Sequence, residues 1–379
     1  MPIKVPKLES RYIPVHSNAY VISSSIHWWK YSSPFIYPNV LINLLSCTKE
    51  QMDDVRKDSS EELFLLTDSG GFQVISGQCN LTWEQSLLKQ IELGATKIFA
   101  FDKPPVKRAF QGSLTQFTYM TDKETRDIIK MNFEVALQQS KYLKEKYPEE
   151  LKKFCYILHA KNYEHIEYNI ELFEKEFGNK YLEYFPGGIV YAIKGNDLMF
   201  ETIAARHAWD NFTSKGIYVH FLGMGSFNRM LILIRNKIST FDSSSVLQGI
   251  RANEFVNPIV VNDSLQVPSK DFIFTKQFCS CPVCSAIDYN EIIKSEQFQM
   301  IGWHFIAHNL WHLLKINIFL DAIPLKRYTE IVKNNFRISE DTLHCLEFCD
   351  TCAEVGFKIA FDKYKHFLKK DETKQLGLF

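Results

Sequence analysis

The chain lacks the features that would assign it to a membrane, secreted or low-complexity class. No apolar segment approaches the roughly 18 residues that a membrane-spanning helix requires. The first ten residues, MPIKVPKLES, contain no apolar signal-peptide core. The 16 glycines and 13 prolines in 379 residues are too few for a collagen-like or low-complexity chain. We therefore expect an ordinary soluble globular protein that is cytoplasmic and has no membrane partner.

The chain also has no net charge, because 44 Lys and Arg residues balance 44 Asp and Glu residues. A neutral chain cannot hold nucleic acid by its overall field, so only a local basic groove remains for that purpose. Hydrophobic residues make up 46% of the sequence, which is enough to bury a sizeable core. The nine cysteines are an odd number in a chain without a signal peptide. They predict reduced thiols, with the clustered ones as metal ligands, rather than disulfides.

Short β-rich runs alternate with helical segments along most of the chain. Several runs are apolar throughout, as strands buried on both faces should be. The alternation predicts an α/β protein: a (β/α)₈ TIM barrel over residues 1–270, with a zinc-binding subdomain and C-terminal helices over residues 271–379 packed on the barrel. The first run could instead be a hairpin arm, because Pro34 and Pro38 argue against a helix after it. The eight runs are Ala19–Ser25, Val40–Ser46, Leu63–Asp68, Lys97–Asp102, Phe154–His159, Gly188–Ile193, Tyr218–Gly223 and Ser239–Ser243, and helical segments include Trp83–Leu93, Lys123–Tyr147 and Tyr163–Phe177.

Three carboxylates close apolar runs at equivalent positions: Asp68, Asp102 and Asp242. In a barrel the carboxyl ends of the strands meet at one mouth, where enzymes of this fold place their catalytic groups. The alternative is that each aspartate caps a following helix or turn. Gly70-Gly71 follows Asp68 and would let the backbone approach a planar ligand closely, although a plain turn is the alternative there as well.

The cysteines near residue 280 predict a metal site. They form a C-x-C-x-x-C turn, and a histidine follows 24 positions after the last thiol on the predicted helix Gln297–Phe319. Three thiolates and one imidazole leave no open coordination position, which indicates a structural zinc ion. His304 and His312 share one helical face with the predicted histidine, so the fourth ligand is less certain than the thiolates; three buried free cysteines are the alternative. The predicted ligands are Cys279, Cys281, Cys284 and His308.

A second cysteine group, Cys345, Cys349 and Cys352, has the spacing of the iron–sulfur motif in radical enzymes that cleave S-adenosylmethionine. In that class the motif lies early in a barrel that follows it, whereas this group lies near the end of the sequence. We therefore favour cysteines in a helix core. A second metal site that includes His344 is the other interpretation.

Taken in order along the chain, these motifs resemble those of the tRNA-guanine transglycosylases. The family's substrate-pocket motif matches Asp68-Ser69-Gly70-Gly71-Phe72-Gln73, and its zinc site matches the C-x-C-x-x-C turn followed by His308-Asn309. The resemblance spans most of the chain, roughly residues 68–309. Four further segments are similar: Phe101-Asp102 with Pro104-Pro105, Gly187-Gly188, Leu222-Gly223-Met224-Gly225 and Phe241-Asp242.

The resemblance implies a barrel that exchanges guanine in a polynucleotide for a 7-deazaguanine base by double displacement, without ATP. Asp242 would be the nucleophile at the sugar C1′, and Asp68 would move the proton on the leaving and incoming bases. Asp102 would accept hydrogen bonds from N1–H and the exocyclic amine of the base, and the target nucleotide would be flipped out of its stack. The other substrate-binding residues would be Ser69, Gly70, Gly71, Phe72, His159, Gly187, Gly188 and Met224, with Phe72 or Met224 stacking on the base.

The chain departs from the tRNA enzymes at three places. His159 stands where they carry a Gln, and Lys103 follows Asp102 where they carry Glu-Cys. The segment Ser243–Gly249 replaces a Pro-Thr-Arg segment and a basic loop that grips tRNA. A divergent branch of the family, which inserts 7-deazaguanines such as 7-cyano-7-deazaguanine into DNA, resembles these changes. We therefore expect DNA as the polynucleotide, with tRNA as the alternative.

The expected partners are thus a nucleic acid and a 7-deazaguanine base, with backbone contacts from Lys103, Lys107 and Arg108. The sequence leaves open whether helper ATPase or helicase subunits, or a homodimer, take part. A catalytically silent zinc-binding partner subunit is the rival interpretation. The presence of both Asp68 and Asp242 argues against it.

Overall fold

The computed structural model describes residues 12–16, 39–45, 47–58, 63–111, 114–193, 197–243, 258–266, 278–286 and 298–368. Within these ranges no helix combines the length and the apolar character needed to cross a membrane. The strands are β1 (Tyr12–His16), β2 (Asn39–Ile42), β3 (Phe64–Thr67), β4 (Ile98–Phe99), β5 (Val106–Gln111), β6 (Leu114–Tyr119), β7 (Phe154–Ala160), β8 (Gly188–Ile193), β9 (Val219–Phe221), β10 (Thr240–Ser243), β11 (Val260–Val261) and β12 (Ser264–Leu265).

Helices separate most of the strands. They are α1 (Lys49–Asp58), α2 (Gly71–Ile75), α3 (Trp83–Glu92), α4 (Asp122–Lys146), α5 (Pro148–Leu151), α6 (Tyr163–Phe177), α7 (Leu198–Asn211), α8 (Phe227–Arg235), α9 (Pro282–Ser285), α10 (Phe298–Ala322), α11 (Tyr328–Asn335), α12 (Glu340–Val355) and α13 (Phe357–Tyr364). Thr82 and Thr121 begin α3 and α4 with capping boxes, in which the threonine side chain and the third helical residue satisfy each other's backbone amides.

The chain forms two compact units. Unit 1 comprises residues 1–65, 223–234 and 240–337, and unit 2 comprises residues 66–222, 235–239 and 338–379. The predicted boundary at residue 270 lies outside the described residues and stays a prediction.

Unit 2 contains a parallel half-barrel sheet of five strands in the order β3, β4, β7, β8, β9. A parallel bridge between Leu66 and Lys97 joins β3 to the start of β4, and longer ladders join the other strands. Every residue of β7 and β8 is buried, which explains why their sequences are continuous apolar runs rather than alternating ones. The side of β7 that carries Tyr156 packs on α6, where the Tyr156 hydroxyl donates to Asn169 at 2.8 Å.

Unit 1 contains further parallel strands, among which β1 lies between β2 and β10. The register places Ile13 of β1 beside Asp242 of β10. The long helix α10 and the two-stranded antiparallel ribbon β11–β12 belong to the same unit. Asp242 and the cysteine turn, residues 279–284, therefore both belong to unit 1.

Each predicted strand run from Val40 onward overlaps a strand, and the three predicted helical segments coincide with α3, α4 and α6. The run Ala19–Ser25 lies outside the described residues. The hairpin of β5 and β6 was not predicted, because its sequence lacks the apolar alternation of a buried strand. The mixed α/β class is confirmed, and the complete barrel stays a prediction.

Candidate functional site

A buried carboxylate, that of Asp102, is the centre of a polar cluster at the edge where the strands of unit 2 end. Asp102 follows β4 and is only 7% exposed. Its Oδ1 accepts a hydrogen bond from the Ser69 hydroxyl, and its Oδ2 lies 2.7 Å from Nε2 of His159. Because the strands are parallel, their carboxyl ends bring together three residues that lie 33 and 57 positions apart.

The loop after β3 fixes the second carboxylate and the two glycines. Asp68 accepts from the Gly70 amide at 2.8 Å and from Nε2 of Gln73 at 3.2 Å. Gly70 adopts a left-handed backbone conformation, with φ of 83°, at the start of α2. The Ser86 hydroxyl donates to the Ser69 carbonyl at 2.6 Å, so α3 also holds this loop.

Gly71 has no space for a side chain, since a Cβ built there lies 1.8 Å from the Asp102 carbonyl oxygen. We expect Gly71→Ala to lower the free energy of unfolding by about 3 kcal/mol or more, because the backbone of either segment has to move. Gly216→Ala is the matched control: its φ is 77° but no atom lies within 4 Å of its Cβ, so about 1 kcal/mol is expected. If denaturant titrations show the same loss of unfolding free energy in both variants, the close approach at Gly71 does not contribute to stability.

Three side-chain amides hold the backbone that carries Asp102. Gln90 accepts from the Phe99 amide and donates to the Phe99 carbonyl, both at 2.8 Å. Gln139 accepts from the Phe101 amide at 2.8 Å. Asn132 accepts from the Lys103 amide at 2.9 Å and donates to its carbonyl at 3.0 Å. These amides extend the fixed conformation of β4 beyond its last residue, and so fix the position of the carboxylate.

The Ser69, Asp102 and His159 cluster is not a hydrolytic triad. In a triad the histidine lies between the serine and the carboxylate and removes the serine proton. Here the serine donates directly to the carboxylate, and the histidine contacts the other carboxylate oxygen. The arrangement therefore surrounds one buried acceptor and does not activate the serine.

Three other predicted substrate-binding residues lie in unit 2: Phe72, Gly187 and Gly188. Phe72, beside Gly71, is 38% exposed, and its ring lies 5.0 Å from that of Phe117. Gly187 and Gly188 lie instead at the beginning of β8, at the edge of the sheet opposite to Asp102.

Backbone packing explains this glycine pair. A Cβ at Gly187 would lie 2.3 Å from Lys153, and one at Gly188 would lie 2.2 Å from the Tyr218 carbonyl. Their predicted contact with the base does not fit this placement, so we correct it. The sequence contained the signal, because glycines that precede an apolar run mark the start of a strand and not its end.

The third carboxylate belongs to unit 1. Asp242 of β10 is buried, and its Oδ1 accepts from the Gly223 amide at 2.7 Å. A Cβ at Gly225 would lie 2.8 Å from the Asp242 carbonyl and 2.3 Å from the Ser243 side chain. Met224, between these glycines, is buried. The Gly223–Gly225 turn therefore packs directly against the predicted nucleophile.

Unit 1 also holds the predicted metal ligands together. The ligand atoms of Cys279, Cys281, Cys284 and His308 all lie within 4.8 Å of one another, and all four residues are buried. His308 directs Nδ1 toward the sulfurs of Cys284 at 3.1 Å and Cys281 at 3.5 Å. Three sulfur donors and one imidazole nitrogen could bind a metal ion such as zinc.

Partners outside this ligand set orient it. Nε2 of His308 bonds to the Val260 carbonyl of the β11–β12 ribbon, which leaves Nδ1 for a metal. Nε2 of His312 lies 3.1 Å from the Cys279 sulfur, and its Nδ1 lies 2.9 Å from Asp263 of the same ribbon. The group whose ligand atoms lie within 4.8 Å of one another includes His308 and neither His304 nor His312, which favours His308 as the fourth ligand.

The thiols of the cysteine turn, residues 279–284, and those of α12 differ in the protonation state that their surroundings favour. Hydrogen bonding to Cys284 lowers the pKa of Cys281 well below its usual range. Burial alone would raise the pKa of Cys279, but hydrogen bonds, led by that from His308, hold it at about 7. Burial raises the pKa of Cys345 to about 12. The first group therefore favours the thiolate form that binds metals, and the second group favours neutral thiols.

The second group packs as a helix core. Cys345, Cys349 and Cys352 are all buried on α12, and the Cys349 sulfur accepts from Asn236 at 3.2 Å. Among the residues that the structure describes, their sulfurs do not form a metal-binding group. The helix-core interpretation is the one that these contacts support.

Sequence reasoning missed the amides of Gln90, Asn132 and Gln139. A polar residue on the apolar face of a predicted helix was the available signal, and it does not by itself say which backbone group the amide holds.

Comparison with known proteins adds no constraint: neither the protein-family models nor the curated proteins include a match.

Proposed function

We propose that this chain is a transglycosylase that exchanges guanine in a polynucleotide for a 7-deazaguanine base. The observation that carries the proposal is the buried Asp102 carboxylate, at the carboxyl ends of parallel strands, where Gly71 packs directly against the Asp102 backbone. A carboxylate has about four acceptor positions, so Asp102 can accept from Ser69, His159 and the paired N–H groups of a guanine edge together. The proposal retains the (β/α)₈ barrel that the sequence predicts, with Asp242 as the nucleophile.

The first chemical step transfers the sugar to the protein. An oxygen of Asp242 attacks C1′ as the bond between C1′ and N9 of guanine breaks, and Asp68 donates its proton to the departing base. The products are a glycosyl ester on Asp242 and neutral guanine. The Gly223 amide, which donates to Oδ1 of Asp242, keeps the other oxygen oriented for attack.

The second step reverses the roles. The Asp68 carboxylate removes the N9 proton of the incoming 7-deazaguanine, whose nitrogen attacks C1′ and displaces Asp242. Two successive inversions at C1′ retain the stereochemistry, as in retaining glycosidases. Gln73 and the Gly70 amide hold Asp68 in both steps, and Phe72 and Met224 are proposed to stack on the base.

The metal in this proposal is a structural zinc ion. Cys279, Cys281, Cys284 and His308 would fill its coordination shell, so it would hold the cysteine turn to α10 and take no part in the reaction. Because the ribbon β11–β12 bonds to His308 and His312, loss of the ion would also loosen that ribbon.

DNA is the favoured polynucleotide. The neutral charge and the Ser243–Gly249 segment, of which residues 244–249 lie outside the described residues, support few phosphate contacts near Asp242. Of the predicted backbone contacts, Lys107 is paired with Glu124 at 2.5 Å, which reduces its availability for phosphate. Binding should therefore be weak and sensitive to salt. A target that is already single-stranded or locally melted should react best, because base flipping then costs least.

The test is incorporation of labelled base. Purified protein, at low salt, receives radiolabelled guanine or 7-cyano-7-deazaguanine with single-stranded DNA, duplex DNA or a tRNA transcript. We expect label in DNA, with single-stranded DNA labelled several-fold faster than duplex. Efficient labelling of the transcript with none in DNA would move the proposal to tRNA. No label in any arm, with zinc present, would favour a silent partner subunit.

A further inference from the structure

We propose that the hairpin β5–β6 is a docking surface for the single-stranded polynucleotide next to the flipped nucleotide, with Phe117 stacking on the neighbouring base. This inference rests on the proposed function and adds to it the element that grips the strand. The hairpin begins at Val106, four residues after Asp102. It is therefore inserted directly beside the proposed base site.

The hairpin is anchored at its base. Val106 donates its amide to the Pro104 carbonyl at 2.8 Å, and Met120 donates to the Pro105 carbonyl at 3.1 Å. Nζ of Lys161, two residues beyond His159, donates to the Met120 carbonyl at 2.9 Å. These bonds fix the hairpin to the edge of the sheet where the Asp102 cluster lies.

The hairpin has no third strand among the described residues. A ribbon of two strands is marginally stable by itself in water, so it needs a surface to pack on. The ring contact between Phe117 and Phe72, at 5.0 Å with planes inclined by 44°, is one such contact. The contact places an aromatic ring of the hairpin against the ring of Phe72, which the proposed function stacks on the base.

The composition of the hairpin matches the chemistry of single-stranded nucleic acid. Its 14 residues, 106–119, include Phe110, Phe117 and Tyr119, no acidic residue, and two cations, Arg108 and Lys107, of which Lys107 is paired with Glu124 outside the hairpin. In the ladder Arg108 is the register partner of Phe117. Proteins that bind single strands without sequence preference combine aromatic platforms with cations that follow the backbone. A protein partner would be recognised by apolar area, which this polar hairpin offers less of.

The occupant is therefore the segment that flanks the target, and Phe72 and Phe117 divide the stacking between them. Phe72 lies beside Gly71 and takes the flipped base. Phe117, one ring farther out, takes the base of the adjacent nucleotide. Such a platform would keep the gap in the stack open while the target nucleotide is extruded.

The test uses short single-stranded DNA with 2-aminopurine next to the target guanine, and measures binding by anisotropy and stacking by fluorescence quenching. Phe117→Ala should weaken binding by about 5-fold to 100-fold and abolish the quenching, since one base–aromatic stack contributes about 1–3 kcal/mol. Phe117→Leu retains an apolar side chain against Phe72 but has no aromatic ring. It should therefore lose as much oligonucleotide binding and quenching as Phe117→Ala. Phe117→Trp should bind and quench at least as well as the wild type.

Binding of free guanine by equilibrium dialysis separates this inference from the proposed function. It should change far less than oligonucleotide binding in all three variants, because Phe117 contacts the base site only through the ring of Phe72. If the wild type exchanges no base but Phe117→Ala still loses oligonucleotide binding, the docking surface stands and the proposed function fails. If Phe117→Ala and Phe117→Leu bind and quench like the wild type, the docking surface is wrong. If Phe117→Trp loses as much oligonucleotide binding as Phe117→Ala, the stacking role of Phe117 is also wrong. The loss of binding would then come from disturbed packing of the hairpin.

Discussion

Replacement of Asp242 by asparagine is expected to reduce base exchange by roughly 10³-fold or more, because an amide cannot form the glycosyl ester. The fold should survive. The asparagine oxygen can still accept from the Gly223 amide, which donates to Oδ1 of Asp242 at 2.7 Å in the native protein. The measurement is the rate of labelled-base incorporation, with thermal unfolding and zinc content as controls for the fold.

Asp68→Asn provides the comparison. This variant retains an acceptor for the Gly70 amide but cannot donate and remove a proton in alternate steps. It should still form the ester slowly with a polynucleotide, whereas Asp242→Asn should form none. Wild-type exchange by Asp242→Asn would show that the nucleophile is wrongly assigned.

Loss of a zinc ligand is the second large effect. The native protein should contain one zinc ion per chain, and Cys281→Ser should remove it and melt the cysteine turn and the β11–β12 ribbon. In zinc-finger peptides the metal contributes about 10–16 kcal/mol of folding free energy, so a loss of several kcal/mol is expected here. Elemental analysis and denaturant unfolding measure the two parts of this prediction.

Cys352→Ala is the matched control, because Cys352 is also a buried cysteine but lies in the helix core of α12. It should retain all the zinc and lose about 1–2 kcal/mol of stability from lost packing. Iron and sulfide in the purified protein, dependent on Cys345, Cys349 and Cys352, would contradict the assignment of the metal site.

The sequence predicted the parts of the molecule that local periodicity determines. The continuous apolar runs of β7 and β8 and the C-x-C-x-x-C turn are local patterns, and each specifies its own structure. The meeting of Asp68 and Asp102 at one sheet edge could also be predicted, because it follows from parallel strand direction alone.

Long-range polar packing could not be predicted. The contact of His159 with Asp102 and the amides of Asn132 and Gln139 depend on how helices lie against the sheet. The strands of the hairpin β5–β6 lack the apolar alternation that would mark them in the sequence. At Gly187 the prediction followed a motif resemblance, whereas packing against Lys153 determines the residue.

The central claim is that Asp242 carries the sugar of the polynucleotide during exchange. The most direct measurement is intact-protein mass spectrometry after denaturing quench of the protein mixed with a short single-stranded DNA that contains the target guanine. We expect an adduct with the mass of the oligonucleotide less guanine, mapped to Asp242, absent from Asp242→Asn and discharged by added 7-cyano-7-deazaguanine. Exchange without an adduct, or an adduct on any other residue, would contradict it.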